Sequence, residues 1–547
     1  MQSVYVLLTI SYRTQMEVSP TSQRKIKLNT ILWVTTLILM VASATHLLRS
    51  ALKSNETIAI AVALSVFVLC LILSMGSPNK GPRQRRYIPW SAIPILLLAI
   101  WAANARLFGR FDVSAVLFHL DHSLAYDGVR DDIVEFIAFL IFAVILIFCI
   151  SLLARRDKRM VVIERVAAAG LLFFNPISTY AYDSLLNPNR NAFHLETSYQ
   201  PVVIKSADTP AKNLLLIYLE SMEATYAKPA FGDVYDDLNT LSADAFRING
   251  VTQIQDTGWT MAGLVASQCG IPLLSYGLIM KNRMKNIESF LPNADCLAVR
   301  LSEQGYQTRF YGGASLKFAG KGKFLTSHGY QYAYGLDEIP QEKRGEVSHW
   351  GLYDDRLYEL ALEELSALAK SETPYLLSIL TLGAHSPAGY PAPVCYDMFA
   401  DAADIDSTLL SVKCTARLTT DFLKAARKQG YLDDTVVVVM SDHLSHKNTQ
   451  TRQLNQYDRE NIFLIQSPDM GVGEITRQAS MMDIYPTILD GLGLLSASEN
   501  AALGVSLFSD EPTLLETHGE NALNLAIRSD KTLRKSLWGL NAEGESP

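Results

Sequence analysis

A chain of 547 residues has room for two or more domains, and its 49% hydrophobic content and mean hydropathy of +0.13 are high for a soluble enzyme, so membrane spans are the first thing to seek. The net charge of −7, with no basic stripe in the second half, excludes the electrostatic footprint of a nucleic-acid-binding protein. The apolar residues crowd into the first 185 positions, and the remainder has an ordinary globular composition.

Thr30–Leu48, Thr57–Met75, Ile88–Ala105 and Ile133–Ala154 are apolar runs near the roughly 20 residues that span a bilayer. Met160–Tyr182 is a weaker fifth run. It holds Glu164, Arg165, Asn175 and Pro176 around an AAAGLLFF centre, and its alternative is an interfacial helix. Basic residues recur at alternate ends of these runs: Arg13, Arg24, Lys25 and Lys27, then Lys80, Arg83, Arg85 and Arg86, then Arg155, Arg156, Lys158 and Arg159. The positive-inside rule then predicts a cytoplasmic N-terminus. About five spans over 1–185 place everything that follows outside the cytoplasmic membrane, whereas an even count would leave it inside. The first run starts too late, and has too many runs after it, for a cleaved signal peptide. Residues 186–211 read as a polar linker along the membrane surface.

After the linker the pattern changes to that of an α/β domain over 212–510. Asn213–Glu220, NLLLIYLE, and Val436–His443, VVVVMSDH, are continuous apolar runs. Such runs fit strands buried on both faces of a mainly parallel sheet with helices on each side. Tyr306–Gly312 and Tyr375–Leu382 read as further strands, the latter leading to His385. Two of these runs end on chemistry, Glu220 and Asp442–His443, and in open α/β sheets sites lie beyond the carboxyl ends of the strands. Carboxylate and imidazole side by side suit a divalent metal. Between them, TQIQDTGWTMAGLVASQCGIP at Thr252–Pro272 is a polar loop entering an apolar helix. Thr257 or Thr260 could cap that helix, and its free N–H groups would attract phosphate.

The segments IYLES, GWTMAGLVASQCGIPL, LKFAGKGKFLTSHGY, HWGLYDD and VVVVMSDHLSHKNT follow in order over roughly residues 211–510. Together they resemble the phosphoglycerol transferases of osmoregulated periplasmic glucan (membrane-derived oligosaccharide) synthesis. More distantly they resemble the lipoteichoic acid synthases of the alkaline phosphatase/sulfatase superfamily. The resemblance implies a metal site of Glu220, Thr260, Asp442 and His443, with Thr260 also the nucleophile. It implies manganese, with magnesium or zinc as alternatives. Mixed oxygen and nitrogen donors suit manganese better than calcium. It implies a catalytic and substrate-binding His385 that protonates the departing lipid oxygen, and a Lys321 set against phosphate. From their position just after the metal pair, His446 and Lys447 read either as touching the same anion or as an exposed loop, and HWGLYDD reads as a structural corner rather than a ligand set. The implied partners are phosphatidylglycerol and a periplasmic glucan, and the implied location is the bacterial inner membrane with the catalytic domain in the periplasm.

Cys70 and Cys149 fall in predicted spans. Cys269, Cys296, Cys395 and Cys414 fall in the domain placed outside, where disulfides persist. Sequence proximity favours Cys269–Cys296 and Cys395–Cys414 among the three pairings. Other readings of the same residues are a phosphoethanolamine transferase, a glycerol phosphate polymerase, a sulfatase or phosphodiesterase, and a catalytically dead sensor. Cys269-Gly-Ile-Pro272 lacks the C-x-P-x-R setting of a sulfatase nucleophile. Residues 511–547 show no motif and read as a C-terminal tail.

Overall fold

The computed structural model describes residues 89–108, 158–182, 193–205, 211–274, 290–400, 405–496 and 499–539, with single positions between 140 and 151. The predicted spans Thr30–Leu48 and Thr57–Met75, Cys70, Cys149 and most of Ile133–Ala154 lie outside the described residues. The chain divides into two compact units, 1–100 with 134–178, and 101–133 with 179–547.

The helix α1 (Ala92–Phe108) begins in the first unit, where it packs Ile95 and Ala99 against Ala143, with Leu96 and Ile147 beside them. The second helix, α2 (Lys158–Phe173), buries Glu164, whose carboxylate accepts from the Ser91 N–H at 2.6 Å. Val162, Val166, Phe173 and Phe174 remain exposed. Among the described residues no helix is long and apolar enough to cross a membrane; α1 has 17 residues.

The second unit is built on an eight-stranded sheet. Its strands are β1 (Asn213–Leu219), β2 (Phe246–Thr252), β3 (Gln307–Gly312), β4 (Tyr332–Tyr334), β5 (Tyr375–Leu380), β6 (Thr435–Ser441), β7 (Phe463–Gln466) and β8 (Gly473–Ser480). They are ordered β4-β3-β5-β1-β6-β7-β2-β8. The half from β4 to β6 is wholly parallel, and only β7 runs against its neighbours. The two continuous apolar runs are adjacent central strands, with Leu214 opposite Val436 and Leu219 opposite Ser441. Alternation explains why both needed uninterrupted apolar sequence. Leu214, Leu216, Tyr218, Val436 and Val438 enter one core. Leu215, Ile217, Leu219, Val437 and Val439 enter the other. Each such side chain withdrawn from water contributes roughly 1.5–3 kcal/mol.

The first core is closed by α3 (Thr260–Cys269) through Met261, Leu264 and Val265. The second is closed by α4 (Asp354–Leu368) and α5 (Ser407–Lys428) through Leu357, Ala361, Val412 and Ala416. This is the mainly parallel α/β sheet with helices on both faces that the apolar runs predict. Cys269 is joined to Cys296 and Cys395 to Cys414.

Two stretches differ from their reading in the sequence. Within the linker, residues 193–205 pack on this domain and form part of it. Leu195 is fully buried, Gln200 and Ala502 exchange both backbone hydrogen bonds at 2.8 Å, and the Lys205 N–H reaches the Leu494 carbonyl at 2.9 Å. Leu195 and Val202 enter the first core, with Phe193, Tyr199 and Ile204 packed against it, at spacings that follow neither a helical nor a strand period. Beyond residue 510 the chain continues as α6 (Leu514–His518), α7 (Glu520–Ser529) and α8 (Lys531–Leu537). Their Leu515, Leu523, Ile527, Leu533 and Leu537 join the first core. Only 540–547 of the predicted tail lies outside the described residues.

Candidate active site

Where β1 and β6 end side by side, the chain turns Glu220, Asp442 and His443 into one buried group. One ligand atom from each lies within 4.8 Å of the others. Ser221 permits the turn after β1 by adopting a left-handed conformation, φ 54°, which costs a non-glycine residue about 1 kcal/mol or more. That backbone sends the Ser221 N–H to Asp442 Oδ1 at 2.9 Å, and the Ser221 hydroxyl donates to Glu220 Oε1 at 2.8 Å. Asp442 Oδ1 also accepts from the His443 N–H at 2.8 Å. The second oxygen, Oδ2, is buried with no hydrogen-bond partner, 3.3 Å from His443 Nε2. Nε2 in turn lies 3.4 Å from Glu220 Oε1.

The imidazole tautomer follows from its other nitrogen. His443 Nδ1 faces the Leu444 carbonyl at 2.7 Å, and a carbonyl only accepts, so Nδ1 carries the proton and Nε2 presents a lone pair in the neutral ring. An imidazole oriented this way is typical of metal-ligating histidine.

The three groups also shift one another's protonation. Burial pushes the Glu220 carboxyl up, but His443, His385 and a hydrogen bond with Asp442 outweigh it and hold it well below the carboxylate range. Burial and the charge of Glu220 push Asp442 well above that range. Burial lowers His443, yet the two carboxylates carry it up to about 9. Two carboxylates with one orphaned oxygen, in a dry site, fit a divalent cation.

Thr260 is the first residue of α3, and the helix cap is Trp259 with no side-chain hydrogen bond. The Thr260 hydroxyl is therefore not consumed by capping. It donates to Glu220 Oε2 at 3.4 Å. Thr257 is fully buried; its hydroxyl donates to the Ile254 carbonyl at 2.9 Å and accepts from the Ile254 N–H at 3.1 Å. Of the two candidate threonines, only Thr260 faces the carboxylates.

Lys321 starts the short helix Lys321–Ser327 behind a left-handed Gly320 and is only 3% exposed. Burial lowers its amine to about 8 despite the opposing charges of Glu220, Asp442 and Glu338. A buried ammonium in the field of both site carboxylates suits an anion arriving between them. The half-buried His385 donates from Nδ1 to the Ser386 carbonyl at 2.7 Å, which leaves Nε2 for chemistry. His446 stacks on His443 with ring centroids 4.4 Å apart, and its Nε2 donates to the Gly258 carbonyl at 2.8 Å. That nitrogen braces the threonine loop, a task its spacing from His443 did not indicate.

Three further supports carry no signal in residue spacing. Gln253 accepts from the Leu444 N–H at 2.9 Å. The fully buried Glu223 accepts from the Ser445 N–H at 3.0 Å and pairs with Arg459. A Cβ at Gly263 would overlap the Asp442 carbonyl, so only glycine lets α3 approach the end of β6. Cys269 closes α3 in a disulfide, far from the role of a sulfatase nucleophile.

A family model described as Sulfatase matches residues 212–494. Phosphoglycerol transferase I of Xanthomonas euvesicatoria pv. vesicatoria is 32% identical over 412 residues, 72% of this chain and 58% of that protein. Phosphoglycerol transferase I of Escherichia coli O127:H6 is 30% identical over 425 residues, 74% of this chain and 55% of that protein. The chain thus spans a little over half the length of these relatives. The lipoteichoic acid synthase LtaP from Listeria monocytogenes superposes with a TM-score of 0.44 and 18% identity, over 56% of this chain and 79% of that one.

Proposed function

The chain belongs to the sulfatase family, and from that premise we propose that it is a membrane-anchored phosphoglycerol transferase, taking a glycerophosphoryl group from phosphatidylglycerol and giving it to a periplasmic glucan. The observation that carries this reading is the Thr260 hydroxyl, uncapped and 3.4 Å from Glu220 beside the group Glu220, Asp442 and His443. The names of the relatives support the transferred group.

Glu220, Asp442 and His443, with Thr260 beside them, would hold a divalent ion, manganese by preference. Such an ion supplies the acidity that a weakly basic Glu220 cannot draw from threonine, and neutralises charge on the phosphoryl oxygens. In the first half-reaction the Thr260 oxygen bonds to phosphorus and its proton passes to water. The bond from phosphorus to the diacylglycerol oxygen breaks, and that oxygen takes a proton from His385 Nε2. Lys321 steadies the phosphoryl oxygens. In the second half-reaction a glucan hydroxyl bonds to phosphorus and gives its proton to His385. The Thr260 oxygen leaves and regains a proton from water. A donor lipid in the bilayer explains why such a domain would follow apolar spans.

The test is incubation of the purified full chain with head-group-labelled phosphatidylglycerol, manganese and glucan acceptors. Label moving to glucan supports the reading. Label released only as free glycerol phosphate would make the protein a hydrolase, and label taken only from phosphatidylethanolamine would change the donor.

A further inference from the structure

We infer that the segment 348–354, which holds no metal ligand, is a clamp that positions His385: Trp350 fixes the plane of the imidazole, and Asp354 fixes the backbone that carries it. The inference rests on the reading of His385 as the proton donor to the leaving lipid oxygen.

Two independent contacts from one segment converge on this histidine. The Trp350 ring lies 4.2 Å from the His385 ring, centroid to centroid, at 39°. Phe318 meets Trp350 edge-on at 5.9 Å, three residues before Lys321. The indole therefore stands between the phosphate-facing loop and the proton donor. A tight turn presents it. The Ser348 N–H donates to the Gly351 carbonyl at 2.7 Å, the Ser348 hydroxyl accepts from the Trp350 N–H at 3.3 Å, and the Leu352 N–H ties the turn to Gly313 at the end of β3 at 3.0 Å.

Asp354 works on the other side. Its carboxylate accepts from the Leu382 N–H at 2.7 Å, from the Gly383 N–H at 3.1 and 3.0 Å and from the Thr415 hydroxyl at 2.6 Å. Gly383 has no room for a Cβ between Asp354 and Thr415. The His385 N–H then closes on the Leu382 carbonyl at 3.0 Å, so the held dipeptide sets where the imidazole begins. With Nδ1 engaged by Ser386, ring plane and backbone together determine where Nε2 delivers its proton.

The experiment reads leaving-group release in the first half-reaction alone, with the metal-loaded full chain in excess over donor and no acceptor present, and compares two donors: phosphatidylglycerol, whose alkoxide leaving group needs a proton, and a glycerol p-nitrophenyl phosphodiester, whose leaving group needs none. His385→Ala should lose about 100-fold on the lipid, within the range general acids contribute, and stay within about threefold on the nitrophenyl donor. Trp350→Ala, at a half-exposed site that tolerates truncation, should show the same selectivity at about 10-fold or more, and Trp350→Phe should restore most of it. Asp354→Asn should shift the ratio in the same direction. If His385→Ala is selective while Trp350→Ala and Asp354→Asn slow both donors alike, or neither, the clamp is wrong and the proposed function stands. If His385→Ala is itself unselective, the role of His385 falls and the clamp falls with it.

Discussion

Thr257 and Thr260 are three residues apart and their hydroxyls have opposite uses. Thr257 satisfies both backbone groups of Ile254 inside the domain, while Thr260 points at Glu220. Thr260→Ala should abolish label transfer with a thermal midpoint close to that of the parent chain, because the hydroxyl caps nothing. Thr260→Ser should keep part of the activity, since it keeps the oxygen. Thr257→Ala should cost roughly 1–3 kcal/mol of stability by orphaning a buried N–H, and should leave most transfer activity in the folded fraction. Near-normal transfer by Thr260→Ala would remove the covalent route. At this scale the grouping of Glu220, Asp442 and His443 was legible because they stand at the ends of apolar runs, whereas Thr260, Lys321 and His385 were singled out by the family resemblance. Their supports were not. Ser221 serves through its backbone angle, Gln253 through a carbonyl oxygen aimed at a loop far away in sequence, and Asp354 through N–H groups of the Leu382–Gly383 loop. Nothing in sequence spacing encodes such partners.

Elements meet at the site only because α3 comes within van der Waals contact of the end of β6, and Gly263 sets that approach. Gly263→Ala would favour the isolated helix by close to 1 kcal/mol, yet here it should destabilise by about 1–3 kcal/mol through overpacking. It should also lower transfer sharply by moving Thr260 away from Asp442. A stability gain with full activity would refute the packing argument. A second element carries a pH signature. Asp483 completes the capping box whose cap is Ser480 at the helical segment after β8, accepting from the Ser480 N–H at 2.8 Å and the Val505 N–H at 3.0 Å, and burial raises its carboxyl to about 6. A folded value above the unfolded one means that folding favours the protonated acid. That stability is fully present below about pH 4 and is lost as pH rises through about 6. Asp483→Asn should flatten this part of the stability curve between pH 4 and 6 in denaturant titrations; an unchanged slope would show that Asp483 does not produce it. The long central strands were readable in the sequence because burial on both faces demands unbroken apolar runs. The C-terminal helices were not, because each is short and amphipathic, and polar residues on the outer faces hide the buried leucines.

For the whole molecule, charge and apolar patterning make one joint claim. Basic clusters at Arg24–Lys27, Arg83–Arg86 and Arg155–Arg159 predict a cytoplasmic N-terminal side for the first, third and fifth apolar runs. On the proposed function the domain that follows would face the periplasm, next to the outer leaflet that would supply its lipid. The two disulfides belong in such an oxidising compartment, and their removal from a domain of this kind would cost roughly 2–5 kcal/mol each. Both observations are needed, since an even number of spans would place the same disulfides in a reducing cytoplasm, where they would not persist. A fluorescent protein that matures only in the cytoplasm, fused after Pro547, should therefore stay dark, while an alkaline phosphatase fusion at the same point should be active. Cells treated with a membrane-impermeant thiol reagent should show no labelling at Cys269, Cys296, Cys395 or Cys414 until a reductant is added. A bright fusion together with four free thiols would place the domain inside, away from any periplasmic acceptor, and would overturn the proposed glucan transfer even if Thr260 proved to be the nucleophile.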